Sequence, residues 1–423
     1  MIVWMMLKKK YIHVIYFIMI ENIFICSYFF NKEHLYREVF IMYIGILTFQ
    51  FANNYGAVLQ AYALKTYLER NGGQVDIINY SPYYLESRCY IFPSFKQIID
   101  KIQKKGIFYT WKYLIWARFK TLKKRLKKKK KFKTFRILYL GINDKKIRNI
   151  SNKNQFQYDI CIAGSDQIWN PKLIKDDTTY YLDFISNNIK KVSYAASIGT
   201  FDIEYYKPIM SKYLPNFDDI SIREDSFKTL IEELSKKEVS VVLDPVFLID
   251  RSDWENLIAN DIKFDKKFIF MYVFNKDDEA IELTNLLSKK FGLSIIHYYY
   301  GDLRKKLEVD GKCFYFDGPL DFLWYMKYAE YIVTNSFHCV AFSLIFEKEF
   351  FTYPIDDVGS RIIDLLEKLN LQKRICTGKE IDSIITDIAK IDYKTVSNIM
   401  YGLKHESYNF INKIIKRGEN IVE

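Results

Sequence analysis

The chain has 423 residues, 49% of them hydrophobic, 27% charged and 17% aromatic, which excludes a disordered chain and leaves room for two or three domains. Its 16 Gly and 8 Pro are too few for a collagen-like or low-complexity architecture. The net charge of +12 is local: 13 Lys or Arg and no acid lie between Trp111 and Asn143, so the remainder carries −1.

Six cysteines (Cys26, Cys89, Cys161, Cys313, Cys339 and Cys376) are scattered without a CxxC pair. A zinc ribbon and a disulfide framework lose support, and a reducing cytoplasm fits best. Residues 1–41 are apolar from Tyr11 to Phe30, but Glu21 and Asn22 interrupt that run and no small-residue cleavage site follows. Two readings stand: an upstream extension outside the native protein, favoured because Met42 directly precedes a buried-strand pattern, or a single hydrophobic anchor.

From Tyr43 the chain reads as a strand to Phe49, a polar loop to Gly56, a helix over Ala57–Arg70 ended by Asn71-Gly72-Gly73, and a strand over Val75–Asn79. That is one βαβ unit. Residues 84–150 break the rhythm as a basic, aromatic, helical insertion. The alternation resumes with strands over Tyr158–Ala163, Lys191–Ser197, Asp219–Ile222 and Val239–Leu243, and a helix over Phe227–Leu234. Residues 244–250 read as a link between a first domain (42–243) and a second (251–381). The second holds strands over Phe268–Phe274, Ser294–Tyr299 and Tyr331–Thr334. Its helices are expected over Asp277–Phe291, Leu320–Tyr328 and Phe337–Phe346, and residues 382–423 form a helical tail. The expected class is α/β, with two Rossmann-like domains facing a cleft.

The polar clusters follow the carboxyl ends of predicted strands, the edge where open parallel sheets bind ligands. Asn53–Gly56, Gly164–Asn170, Ser197–Gly199, Arg223–Ser226 and Asn335–His338 are therefore expected to converge. His338, in the first turn of a helix, is the sharpest candidate. A helix N-terminus suits an anion, and a histidine beside one can donate a proton. Arg223 could clamp a phosphate or carboxylate, or pair with Glu224 and Asp225. Ser336 could cap its helix, bind an anion, or both. Arg361, after Gly359-Ser360, is a second anion-binding candidate. Ser165, Asp166 and Gln167 could meet sugar hydroxyls and Trp169 a sugar face, or the segment is a turn with Trp169 in the core.

No metal is expected: HxH, HExxH and Cys/His pairs at ligand spacing are absent. A dinucleotide cofactor lacks its GxGxxG and a serine hydrolase its GxSxG. The basic run over 123–136 reads first as a solvated helix face, next as a contact for an anionic membrane surface, and last as a nucleic-acid contact, since no nucleic-acid-binding signature accompanies it.

The segment Phe49–Leu64, containing Asn53-Asn54-Tyr55-Gly56, resembles the opening motif of the polysaccharide pyruvyl transferases. Gly164-Ser165-Asp166-Gln167-Ile168-Trp169-Asn170-Pro171, Ser193-Tyr194-Ala195-Ala196-Ser197, Arg223-Glu224, Asp244-Pro245-Val246 and Thr334-Asn335-Ser336-Phe337-His338 follow in the family's order. The resemblance runs from about Met42 to Arg374 and implies a GT-B-like fold. It also implies transfer of pyruvate from phosphoenolpyruvate to two hydroxyls of one sugar as a ketal, with no cofactor beyond that co-substrate. His338 would be the acid. Ser336, Asn335, Arg223 and Arg361 would lie on the donor side, and Asn53, Asn54, Tyr55, Ser165, Asp166, Gln167 and Trp169 on the acceptor side. Better-known members carry Arg-Leu-His where this chain has Ser336-Phe337-His338, so another cation, Arg223 or Arg361, is expected to grip the donor. The acceptor would be a polysaccharide precursor, lipid-linked or not, met in the cytoplasm or at the inner membrane face. The alternatives are a GT-B glycosyltransferase using a nucleotide sugar and a non-catalytic saccharide-binding protein on the same fold.

Overall fold

Strand β1 (Met42–Leu47) leads through a turn into helix α1 (Tyr55–Arg70), which returns the chain to β2 (Gly73–Ile77). The computed structural model describes residues 42–86, 122–143, 145–150, 156–199, 203–258, 266–274, 277–299, 311–313, 317–355, 359–376 and 389–419, with 99, 102–103, 106–109 and 381. Residues 1–41, and with them both readings of the N-terminal segment, lie outside the described residues, as does most of 87–121. The helix starts at Tyr55, two residues before the hydrophobic periodicity suggests, because the Asn54 side chain caps it by accepting from the Ala57 amide.

The chain continues through helix α2 (Leu122–Leu140), β3 (Ile160–Ala163), β4 (Lys190–Ala196), β5 (Asp219–Ile222), helix α3 (Lys228–Ser235) and β6 (Val239–Val241). The six strands form one parallel sheet in the order β2-β1-β3-β4-β5-β6. Strands β3 and β5 are buried along their whole length; β3, Ile-Cys-Ile-Ala, reads as an unbroken apolar run, whereas β5, Asp-Ile-Ser-Ile, alternates.

After residues 244–250 comes a second series: β7 (Phe268–Val273), α4 (Asp278–Phe291), β8 (Ser294–Tyr299), β9 (Lys312–Cys313), α5 (Pro319–Tyr328), β10 (Tyr331–Thr334), α6 (Phe337–Ile345), β11 (Glu349–Thr352) and α7 (Ser360–Lys368). Its five strands are parallel in the order β11-β10-β7-β8-β9. Strands β9 and β11 and helix α7 have no counterpart in the sequence reading. The terminal helix α8 (Tyr393–Glu419) crosses back to the first sheet. There Ser407 Oγ accepts from the Leu243 amide (2.9 Å), Tyr408 stacks on Tyr67 and Lys413 pairs with Asp219 (3.2 Å).

The segment at 244–250 is no exposed tether. Val246, Phe247, Leu248 and Ile249 are buried in a core that also takes in Ile44 and Val58 of the first half and Phe270, Phe322 and Val340 of the second. Tyr55 is the pin of that shared core. It stacks on Phe322 at 5.0 Å, meets Tyr272 and Tyr298 edge-on, and donates from its hydroxyl to the Asp317 carbonyl (3.0 Å). No helix among the described residues is long and apolar enough to cross a membrane.

Candidate functional site

Each sheet has one point where its strand order reverses, between β1 and β3 in the first and between β7 and β10 in the second. In such sheets the crevice outside the strand ends at that point is the usual ligand site. Both reversal points contribute here. Thr48–Asn54 follows β1, Gly164–Asn170 follows β3, and Asn335–His338 follows β10.

The β10–α6 turn is held by its own polar groups. Asn335, buried, accepts from the Phe274 amide at the end of β7 (2.9 Å), and Thr334 Oγ1 accepts from the Ser336 amide (3.0 Å). Asn335 is therefore spent on joining two strand ends. Ser336 is the N-cap of α6, and its side chain makes no cap hydrogen bond. His338 follows, nearly buried, with Nε2 3.5 Å from Asp244 Oδ2 and no hydrogen-bond partner among the described residues. The other side of the imidazole lies against α1: a Cβ on Gly56 would fall 2.1 Å from His338 Nδ1. Only glycine leaves room for the ring there.

Asp244, fully buried, links His338 to the arginines. Its Oδ2 lies 2.6 Å from Arg223 Nη2 and 3.4 Å from Ser165 Oγ, and its Oδ1 accepts from the Val246 amide (3.0 Å). Burial pushes its carboxyl up, but Arg223 and then His338 outweigh this and bring it down to about 2. Arg223 also donates to Ser165 Oγ. Its Nε and Nη1 are buried without partners among the described residues.

Arg361, in the first turn of α7, is buried beside Arg223. Both guanidinium carbons lie over the Phe337 ring, at 4.8 Å for Arg223 and 5.7 Å for Arg361. Arg361 Nε stands 3.9 Å from Glu224 Oε1 and makes no hydrogen bond. Burial and then the neighbouring Arg223 charge lower the Arg361 pKa, against the pull of Glu224, Asp166 and Asp244. Glu224, fully buried, accepts from Ser197 Oγ through one oxygen and leaves the other unpartnered. Its pKa is raised by burial, offset in part by Arg361 and Arg223. Two adjacent buried cations with spare N–H groups make a site that an anion would complete.

Asp166 takes φ +81°, a left-handed conformation that aspartate tolerates better than most residues, and its Oδ1 accepts from the Gln167 amide (2.8 Å). This turn brings the half-buried Gln167 to Arg361. With the amide oxygen facing the guanidinium, it accepts at 2.5 and 3.3 Å. A cavity of about 30 Å³ opens beside these groups, lined by Arg223, Asp244, Phe337, Arg361, Leu365 and Lys368 among others. That is near the volume of one water and far below that of a sugar.

The sequence-predicted residues thus divide. His338, Arg223 and Ser165 meet Asp244, Arg361 lies beside Arg223 with Gln167 against it, Asp166 shapes that turn, and Ser336 starts the helix that carries His338. Trp169 does not offer a sugar face. It is fully buried, stacked on Tyr181 at 6.0 Å, with its indole N–H donating to the Tyr180 carbonyl (3.2 Å). Its ring is large enough to fill the space under the turn, so the core alternative is the correct one. Tyr55 is likewise core, and Asn54 serves as a helix cap. Asn53 is held by Arg136 Nη2 (3.1 Å). Sequence reasoning assigned no role to Asp244 or Gly56, and Glu224 only as a possible partner of Arg223, although each stands inside a quoted motif. An acid directly after a buried strand end was the available signal. Among the described residues no three His, Cys, Asp or Glu side chains gather as metal ligands.

The UDP-GlcNAc 2-epimerase of Neisseria meningitidis, solved with UDP-GlcNAc bound, superposes with a TM-score of 0.50 and 11% identity over 88% of this chain and 99% of that one. MnaA of S. aureus, solved with UDP, gives 0.48 and 12% over 90% and 98%. The neighbours are GT-B-type enzymes, and the fold here is of that type. No curated protein matches the chain by sequence. The sequence profile of the polysaccharide pyruvyl transferases matches residues 54–357, from the cap of α1 past His338, and the chain is a member of that family.

Proposed function

We propose that the protein transfers the pyruvyl carbons of phosphoenolpyruvate to two hydroxyls of one sugar in a surface polysaccharide or its precursor. The observation that carries this reading is the pair of buried arginines over Phe337, with unpartnered N–H groups, next to a histidine facing Asp244. A donor bearing both a phosphate and a carboxylate matches two adjacent cations. Arg361 supplies the second cation that the Ser336-Phe337-His338 sequence lacks.

In this mechanism His338 gives its proton to the methylene carbon of the enol, which becomes the methyl group. The carbon bearing the phosphate becomes oxocarbenium-like and is attacked by one sugar hydroxyl. Phosphate then leaves, and the second hydroxyl closes the ketal. Of the two hydroxyl protons, one restores His338 and one departs with phosphate. Asp244, 3.5 Å from Nε2, faces the imidazole from the side opposite Gly56. Asp166 and Gln167 are left to face the acceptor, whereas Ser165, fully buried, is taken up by Arg223 and the Ala195 carbonyl. The reaction calls for no metal or further cofactor, and it suits the cytoplasm, where the donor is made.

Calorimetric titration of the full chain with phosphoenolpyruvate, UDP and inorganic phosphate tests the reading. Phosphoenolpyruvate is expected to bind selectively, with affinity falling about 10- to 100-fold in Arg361→Ala as charge-assisted hydrogen bonds are lost. Preference for UDP would instead make the protein a nucleotide-sugar glycosyltransferase.

A further inference from the structure

Helix α2 has two faces with opposite assignments. One is used up inside the protein. Phe132 and Phe135 are buried, and Lys128 Nζ lies 5.1 Å from the Tyr55 ring centroid and 5.2 Å from that of Tyr298. Lys131 pairs with Asp321 (2.5 Å), and Arg136 donates to the Ala52 carbonyl (3.2 Å) and to Asn53. The helix therefore ties the loop after β1 to helix α5 of the second half.

The other face looks outward. Lys123, Lys127, Lys129 and Lys130 are exposed, and among them stand Leu126, Ile137 and Leu138 at 49, 44 and 68% exposure. At 100° per residue, Leu126, Ile137, Lys130 and Lys123 fall within about 60° of one another, opposite Phe132 and Phe135. A merely solvated face has no use for two large aliphatic side chains there and a third, Leu138, exposed at its margin. A nucleic acid or acidic polysaccharide would pair with the lysines but give the leucines and isoleucine nothing to enter. A bilayer with anionic headgroups serves both: lysines at the phosphate level, aliphatic side chains at the acyl boundary.

We propose that the outer face of α2 docks this protein on an anionic lipid surface. The helix lies flat, because its inner face stays engaged by Tyr55, Asp321 and the loop at residues 50–54. Docking would set the charged site at a fixed height above the headgroups. The inference is independent of the reaction proposed above.

The test is flotation of the full chain with phosphatidylcholine vesicles, with and without about 30% phosphatidylglycerol, at low and high salt. Binding is expected only to the anionic vesicles and to weaken with salt. Changing Lys123, Lys127, Lys129 and Lys130 to Gln should lower the partition coefficient by about fivefold per lysine, several hundred-fold together. Changing Leu126, Ile137 and Leu138 to Ser should lower it at least tenfold. All seven side chains are exposed, so both variants should keep the parent's unfolding midpoint. Unchanged partitioning in the lysine variant overturns the proposal, as does salt-insensitive binding to both vesicle types, which residues 11–30 would produce. So does an unchanged serine variant in which binding to heparin or duplex DNA falls in step with the lysine changes, since the face would then be reading charge alone.

Discussion

Gly56→Ala puts the position of His338 to the test with one carbon atom. Gly56 is the second residue of α1, so alanine suits the backbone and by propensity alone would add up to about 1 kcal/mol. The new Cβ, however, would stand 2.1 Å from His338 Nδ1, 2.3 Å from Cγ and 2.5 Å from Cε1. Ordinary contact begins near 3.5 Å, so the imidazole must retreat by about 1.5 Å. It retreats from Asp244 or with it, and either way leaves its place beside the arginines. Misplacement by about 1 Å typically costs 10²-fold in rate, or about 2.7 kcal/mol in the barrier. The assay is phosphate release from phosphoenolpyruvate with acceptor present, together with donor titration by calorimetry. Turnover should fall at least 100-fold. Donor affinity should change severalfold at most, because the arginines are not touched. A folded Gly56→Ala protein with parent turnover would refute the assignment of His338 as the acid in this arrangement.

Two further substitutions probe the neighbours. Asp244→Asn removes the buried partner of Arg223 and His338 and should lower stability by about 3 kcal/mol in denaturant melts at neutral pH. Because the native carboxyl is held down to about 2, below its ordinary value, its contribution is complete above about 4 and is lost as pH falls through 2. The gap between parent and variant should therefore close in acid, and a gap that stays constant from pH 7 to pH 2 would contradict the pairing. Trp169→Phe should lower stability through lost packing and the lost indole hydrogen bond while leaving the acceptor KM unchanged. A selective rise in that KM would return Trp169 to the acceptor site.

The alternation of strands and helices was legible because both sheets are covered on both faces, so their strands appear as continuous apolar runs such as Phe268–Val273. Strand β9 was not, because two residues (Lys312–Cys313) carry no pattern at all. Strand β11, four residues beginning with Glu349, lies too close behind α6 for its run to separate from the helix. At the site, residue type and place at a strand end were enough to select His338 and Arg223, whereas Arg361 was picked only for following Gly359-Ser360. They could not separate Trp169 and Tyr55 from true surface groups, since an aromatic beside a polar turn looks the same whether it faces a ligand or the core. Asp244 was read as part of a link because its value is entirely tertiary. It matters only once β5 brings Arg223 and α6 brings His338 to the same carboxylate.

The histidine stands on the second half of the chain, the notch that receives it on the first, and the carboxylate beside it at the start of the short helical turn between. No one of these halves owns a finished proton donor. Any motion that parts the two sheets therefore takes the imidazole out of its notch on α1. Protonation of an enol is also the first step of its hydrolysis. On the reading proposed above, an enol donor therefore meets its acid only while the two halves are together.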